Sequence, residues 1–432
     1  MLIHTVRRGD TVFSVAREYE VPAARIITDN LLTEPGRLAE GQDLLIQYPT
    51  VTHTVAGGDT LTAIAAQYGV SRLAIYRFNP VLDGESRIYP GQVLNIAYEP
   101  PEYGDAVTMG YAYPFIDRTV LRRTLPYLTY LSLFSTGLRP DASFIPPESE
   151  AELIALAREY AAVPLLTLTS LTEGGTFSSE LVAEILASPA LTERLADNLA
   201  EAVTEAGYGG VDSDFEYIPP EFAEAYAGFL ALLGERLPDG IPVFVSLSPK
   251  VRADQGGLLY EGHNYPLLGA AADGSLLMTY EWGYTFGPPM AVAPIREVRR
   301  VVNYAVGEIE PQKLLLGLPN YGYDWALPYV AGESRAESLG NVAAVNRAAD
   351  RGAAIRFDEA AESPTYNYFD RPQTYEDAVA HVVWFENARS IREKLLLGAE
   401  YGLGGFGVWN IMRYFPALWT QLNRMFRIRK SV

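Results

Sequence analysis

Cysteine is absent from the 432 residues, so disulfides and thiol catalysis are excluded. Histidine is scarce: His4, His53, His263 and His381 are scattered without metal-ligand spacing, and neither a metal nor another cofactor is expected. Cations are outnumbered, with 34 Lys and Arg against 53 Asp and Glu and a formal net charge of −19. That deficit argues against nucleic acid as a partner, because phosphate binding needs clustered Lys and Arg. It equally argues against charge-driven adhesion to anionic surfaces, so any wall polymer would have to be held by hydrogen bonds and stacking. No apolar run reaches the ~18 residues of a membrane span. The N-terminal Met1-Leu2-Ile3-His4-Thr5-Val6 enters a strand-like segment without the cationic-then-apolar pattern of a secretory leader. Neither a membrane association nor a cleaved leader is expected.

What is present is size, aromatics and a repeat. With 48% of its residues apolar, the chain can bury one large core plus one or two small ones. Its 28 tyrosines suit sugar recognition, although they also serve ordinary cores. Residues 3–47 and 52–97 are an internal repeat. Ile3-His4-Thr5-Val6-Arg7-Arg8-Gly9-Asp10-Thr11 recurs as Thr52-His53-Thr54-Val55-Ala56-Gly57-Gly58-Asp59-Thr60, and the register holds through Tyr19/Tyr68 and Asn30/Asn79. Each copy reads as strand, helix, helix, strand. Gly9-Asp10-Thr11 and Gly58-Asp59-Thr60 supply helix N-caps, and Gly41-Gln42 and Pro90-Gly91-Gln92 turn into a closing strand. Two small modules are expected at 1–48 and 51–98, joined by the proline-bearing Tyr98–Tyr103 linker to a domain spanning 104–432. Prolines stiffen such a linker, so the modules should ride close to that domain.

From Ala106 onward short apolar runs alternate with longer helical patterns, the sign of a parallel sheet wrapped by helices. Eight strands are expected: Ala106–Tyr111, Leu128–Phe134, Val163–Thr169, Gly210–Glu216, Pro242–Leu247, Leu276–Tyr280, Lys313–Leu318 and Gly405–Trp409. Helices such as Glu150–Ala161, Leu181–Ala206, Pro220–Arg236 and Ile295–Ala305 should separate them. This is the pattern of an α/β (β/α)8 TIM barrel. The stretch between the last two strands is too long for one crossover helix. A small α+β insertion is expected at about 326–375, followed by a returning helix Tyr375–Ala399.

One stretch is organised for proton chemistry. In Gly207–Pro219 the acids Asp212, Asp214 and Glu216 alternate with Val211, Ser213, Phe215 and Tyr217. Successive strand side chains point to opposite faces, so all three acids would share one face, neighbours roughly 7 Å apart. At that spacing their titrations couple. Like charges aligned on a strand face repel, so this crowd suits catalysis better than a solvated hairpin.

Gly-Gly-Val-Asp-Ser-Asp-Phe-Glu resembles the D-x-x-D-x-D-x-E signature of glycoside hydrolase family 18, with Gly209 at the first Asp position and Ser213 at a customary aliphatic one. Other fragments fall in that family's order: Gly110-Tyr111, Met278-Thr279-Tyr280-Glu281, Gly317–Trp325 and Gly407-Val408-Trp409-Asn410. The family's Ser-x-Gly-Gly is replaced by Thr169-Ser170-Leu171-Thr172. The repeats resemble LysM modules, which bind N-acetylglucosamine, through His-Thr-Val-x-x-Gly-Asp-Thr, Asn79-Pro80 and Pro90-Gly91-Gln92. The combination, with Leu259–Tyr265 and Met278–Tyr284, is similar to cortex-lytic N-acetylglucosaminidases of spore-forming bacteria, a branch usually made without a signal peptide.

The resemblance implies a retaining, substrate-assisted hydrolysis in which the sugar's own acetamido oxygen attacks the anomeric carbon. It makes Glu216 the general acid and base, with a pKa raised by Asp214 and partial burial. Asp214 would orient the acetamido N–H, Asp212 would share a proton with Asp214, and Tyr280 would hold the acetamido oxygen. Trp409 would floor the sugar, with Tyr111, Glu281, Asn320 and Tyr321 as rim contacts. In the second LysM module Gly58, Asp59, Thr60, Leu61, Ile75, Asn79 and Pro80 would line the glycan groove. His263 reads equally as a structural hydrogen-bonder or a ligand. The implied partner is peptidoglycan or another N-acetylglucosamine polymer, the implied location the spore or cell wall, and a monomer is expected. A chitinase, a non-catalytic glycan-binding lectin and a spore-coat structural protein are the competing readings.

Overall fold

The computed structural model describes residues 1–172, 175–370 and 378–430. Its first module pairs strands Leu2–Thr5 and Asp43–Ile46 antiparallel around helices Val12–Glu18 and Ala23–Asp29. The second repeats this with strands Val51–Thr54 and Val93–Ala97 and helices Leu61–Tyr68 and Arg72–Phe78. The repeated motif residues are the local reason for the fold. Asp10 and Asp59 each accept a turn N–H, from Arg7 and Ala56 at 2.7 Å, and lie 3.1 and 2.9 Å from the Nε2 atoms of His4 and His53. Asn79 donates to the carbonyls of Ile75 and Asn95 and accepts from the Asn95 N–H, each at 2.8 Å. Asn30 does the same between Ile26 and Leu45. One buried amide thereby staples the second helix to the closing strand in both copies.

Eight parallel strands then close into a barrel: Tyr103–Ala112, Tyr130–Leu138, Val163–Thr169, Val211–Asp214, Val243–Leu247, Gly274–Leu277, Leu314–Pro319 and Gly405–Trp409. Pairing of the first strand with both the second and the eighth completes the ring. Most of their apolar runs are continuous rather than alternating because the strands are buried on both faces, inside the barrel and against the helices, while the fourth, Val211–Asp214, carries acids on its inner face. The helix expected at Leu181–Ala206 is two helices, Ser179–Ala187 and Pro189–Ala206. Ser188 caps the second through the Leu191 N–H, and Pro189 can only begin a helix, not continue one.

The insertion is larger than expected. A five-stranded antiparallel sheet runs in the order Glu337–Leu339, Gly322–Leu327, Ala380–Trp384, Ser363–Phe369, Arg356–Asp358, packed by helix Asn341–Arg351. It therefore begins before residue 326 and ends after 375. The helix read as Tyr375–Ala399 is instead strand Ala380–Trp384 followed by helix Ala388–Glu400, and Tyr375 lies outside the described residues. His381-Val382-Val383-Trp384 is β-branched and aromatic, and its pairing with strands on both sides overrides the helical neighbours.

After helix Pro416–Met425 the chain adds strand Phe426–Ile428 parallel to the start of the first barrel strand. The cationic Arg424–Lys430 run therefore continues past the helix into this strand. Lys430 is drawn beneath the barrel, where its ammonium donates to the Leu125 carbonyl at 2.8 Å and to that of Leu128. The modules sit against the barrel and its insertion. Tyr127 donates to the Arg77 carbonyl at 2.7 Å, Tyr160 to that of Gly84 at 2.8 Å, and the Ile355 N–H to that of Glu40 at 2.8 Å. Glycine is required at Gly41: its φ is +81° and a Cβ would lie 1.9 Å from the Ile355 carbonyl oxygen.

Candidate active site

The fourth barrel strand ends at Asp214, and Glu216 sits just past it. The alternation read from the sequence holds across this boundary. Ser213 and Phe215 face the helices: the Ser213 hydroxyl is 2.9 Å from that of Tyr226, and the Phe215 ring packs on Tyr226 and Phe229. This bond gives the unusual Ser213 a role on the helix-facing side, away from the acids. Asp212 faces inward and is fully buried, accepting a 2.9 Å hydrogen bond from Ser132, whose hydroxyl is 2.5 Å from that of Thr167. Asp214 and Glu216 line one cavity of about 320 Å³, together with Tyr280, Glu281, Trp282 and Trp409.

Electrostatics in this cavity favour bound protons. Burial pushes the Asp212 carboxyl up from 3.8 to about 6, opposed by the nearby Tyr111 and Ser132 hydroxyls. Asp214 is pushed well above the carboxylate range by burial, then by Glu216, then by Asp212. Glu216 is raised by burial first and then by the Glu281 carboxylate, and it repels Asp214, the neighbour anticipated from the sequence. Asp212 Oδ1 and Asp214 Oδ1 are buried without a protein hydrogen-bond partner among the described residues. Buried acceptors of this kind are costly, and a shared proton or a substrate N–H would satisfy them.

Trp409 is held edge-on by Phe134, Tyr111 and Tyr113, with ring centroids 4.8, 5.6 and 6.0 Å away. The peptide bonds Phe134-Ser135 and Trp409-Asn410 beside it are cis. Tyr113, Phe134 and Phe177 also border an adjoining cavity of about 650 Å³, so the site continues as a groove. Phe177 stands 61% exposed there, a stacking face. A short bridge between Leu171 and Phe177 presents Phe177 in the region where the third-strand landmark is missing. Tyr113, Phe134, Phe177 and Trp282 were missed from sequence because an aromatic near a strand end is more often core.

Not every residue expected at the rim is open to the cavity. Tyr111 is buried beneath Trp409, with its hydroxyl 3.3 Å from that of Ser246. Asn320 is buried and donates to the Asn410 and Arg413 carbonyls at 2.9 and 2.7 Å, fixing the turn that follows Trp409. Tyr321 is buried and donates to Glu281, which also accepts from Tyr323 at 3.0 Å. These three support the rim from behind. Of the second-module residues, Gly58 and Thr60 are exposed and Asp59 is partly so. Leu61 and Ile75 are core, at 2% and 0% exposure, and the Asn79 amide is committed to backbone. Asn79 and Pro80 wall a cleft of about 410 Å³ against Pro22, Arg25 and Thr28 of the first module. The four expected histidines bind no common site, and no cluster of potential metal ligands occurs among the described residues.

Residues 167–413 match the glycosyl hydrolases family 18, and residues 4–47 and 53–97 match the LysM domain. The cortical fragment-lytic enzyme of Bacillus anthracis is 36% identical over 434 residues, covering 99% of each chain. That of Bacillus subtilis is 33% identical, covering 100% of this chain and 99% of its own. The crystal structure of the Bacillus cereus spore cortex-lytic enzyme SleL superposes with a TM-score of 0.83 at 34% identity, over 100% of this chain and 99% of that one. Together with a closed barrel that gathers Asp212, Asp214 and Glu216 at one strand end, these likenesses place the chain in glycosyl hydrolase family 18, as a glycoside hydrolase preceded by two LysM modules.

Proposed function

We propose that the chain cleaves spore-cortex peptidoglycan after N-acetylglucosamine, with retention, by a substrate-assisted mechanism in which Glu216 is the only general acid and base. The observation that carries this is the sharing of one cavity by Asp214 and Glu216 while burial raises both pKa values. A raised carboxyl keeps its proton near neutral pH and can deliver it to the leaving glycosidic oxygen. The anomeric carbon is then attacked by the substrate's acetamido oxygen, which closes an oxazolinium ring. Asp214 Oδ1, lacking a protein donor, accepts the acetamido N–H and offsets the developing positive charge. Asp212, fixed by Ser132, shares its remaining oxygen's proton with Asp214. Tyr280 reaches the acetamido oxygen and Trp409 stacks under the sugar ring. Glu216, now a carboxylate, activates the water that opens the ring.

Cortex peptidoglycan as the substrate rests on the similarity to cortical fragment-lytic enzymes across the full chain. The exposed turn Gly58–Thr60 is the surface through which the second LysM module would hold the glycan, and the protein would act as a monomer at the spore. Digestion of purified cortex fragments, with borohydride reduction and mass spectrometry, tests the specificity. Every new end should carry reduced N-acetylglucosamine. Ends carrying reduced muramic acid would overturn the specificity, and saturable binding without cleavage would favour the lectin reading.

A further inference from the structure

His263 belongs to none of the roles above, yet it is wired to the catalytic strand. It is fully buried, and its ring bridges two strand ends. Nδ1 accepts from the Ser248 N–H at 3.0 Å, just beyond the fifth barrel strand. That bond requires an unprotonated Nδ1, so Nε2 carries the hydrogen and donates it to the Phe215 carbonyl at 3.0 Å. Phe215 is the residue between Asp214 and Glu216. The ring therefore holds the carbonyl of the Phe215–Glu216 peptide, the second of the two peptides between the carboxylates, past the point where the strand ladder has ended.

The surroundings make this clamp stiff. Tyr265 donates to the Ser248 carbonyl at 2.6 Å and accepts from the Lys250 N–H at 3.2 Å, while the Lys250 ammonium donates to the His263 carbonyl at 3.1 Å. Gly262 brings the loop against the segment after Glu216: a Cβ there would lie 2.2 Å from the Ile218 carbonyl oxygen. Close approach, rather than an unusual φ, is what that position demands of glycine. The Phe215 ring packs on Tyr226 and Phe229, and the clamp adds the hydrogen bond that fixes the peptide leading into Glu216.

We infer that His263 is a positioning residue that sets the separation and aim of Asp214 and Glu216 through the Phe215 carbonyl. This rests on the reading of those acids as the reacting pair. That reading would fail on its own test, an active Glu216→Gln variant, whatever His263 does. Displacing a reacting group by about 1 Å can cost on the order of 10²-fold in rate, so the expected signature lies in kcat.

The two amide side chains divide the ring's functions. Glutamine at this position carries an N–H to where Nε2 lies and keeps the bond to Phe215. Asparagine carries an oxygen to where Nδ1 lies and keeps only the bond to Ser248. His263→Asn is expected to lower kcat by about tenfold or more with KM changed less than about twofold, and His263→Gln to stay within about threefold of wild type. Gly262→Ala, which pushes the loop off Ile218 and leaves the histidine in place, is expected to share the kcat-selective loss. Equal kcat for the two His263 variants, a loss confined to KM, or losses that simply follow Tm would overturn the inference.

Discussion

Glu216→Gln is expected to lower kcat by at least about 10³-fold while the variant folds and still binds cortex fragments. General acid–base catalysis by one positioned group contributes on the order of 10²–10⁴-fold, and here one carboxyl must both give the proton and take it back. No second acid among the described residues is placed to substitute. Asp214 is the nearest candidate, but it is committed to the acetamido group in this mechanism, and Glu281 is tied to Tyr321 and Tyr323 at the rim. Glutamine keeps the shape and loses the proton transfer. The loss should therefore appear in kcat, with binding of reduced fragments unchanged by calorimetry. A variant retaining more than about a tenth of wild-type kcat would mean that another group donates the proton.

Asp214→Asn is expected to cost about 10²-fold or more in kcat and, at the same time, to raise the Tm of the barrel at pH 7. The activity loss follows from replacing an acid that can ionise toward the developing positive charge by an amide that cannot. The stability gain follows from linkage. The folded-state pKa values of Asp212, Asp214 and Glu216 all lie above their ordinary values. The native protein thus binds more protons than the unfolded chain, and stability is lost as pH rises from the unfolded pKa through the folded one. For Asp212 alone, the rise from 3.8 to about 6 corresponds to on the order of 3 kcal/mol. Removing one member of this crowd should raise Tm by at least about 2 °C at pH 7, with the difference shrinking as pH falls below the ordinary carboxylate pKa, where the wild-type acids are protonated in both states. A lower Tm at pH 7, or a difference independent of pH, would contradict the account. The activity cost paired with a stability gain is the pattern of a strained catalytic site.

Much of this architecture is legible in the sequence because its causes are local. The eight strands announce themselves as short apolar runs, since each is buried on two faces. The acids of the fourth strand declare their shared face through a period of two. The repeat is visible because Asp10 and Asp59, and Asn30 and Asn79, do the same hydrogen-bonding in each module. That same fact limits what the repeat says about binding. Asn79, Leu61 and Ile75 recur because the module needs them to fold, and folding leaves them no free surface. Tyr111, Asn320 and Tyr321 pose the same problem at the barrel. They lie at the right strand ends, but whether such a residue meets the sugar or props up a neighbour depends on which rings fill the mouth first. Phe134, Tyr113 and Trp409 fill it, from three separate strands. The strand Ala380–Trp384 and the strand Phe426–Ile428 are set by partners far away in the chain, which no local pattern records. His263 belongs to this class too: a lone histidine in a loop acquires its meaning only from Phe215 and Ser248.

The central claim is a double displacement with retention, begun by the substrate's own amide rather than by water, while Glu216 manages the proton. The configuration of the sugar at the moment of release tests it most directly. Proton NMR of a reducing-end N-acetylglucosamine, followed from the first minutes of digestion before mutarotation, should record the β anomer first and the α anomer only later. An α anomer formed first would require direct attack by water from the opposite face, and the substrate-assisted account would be wrong.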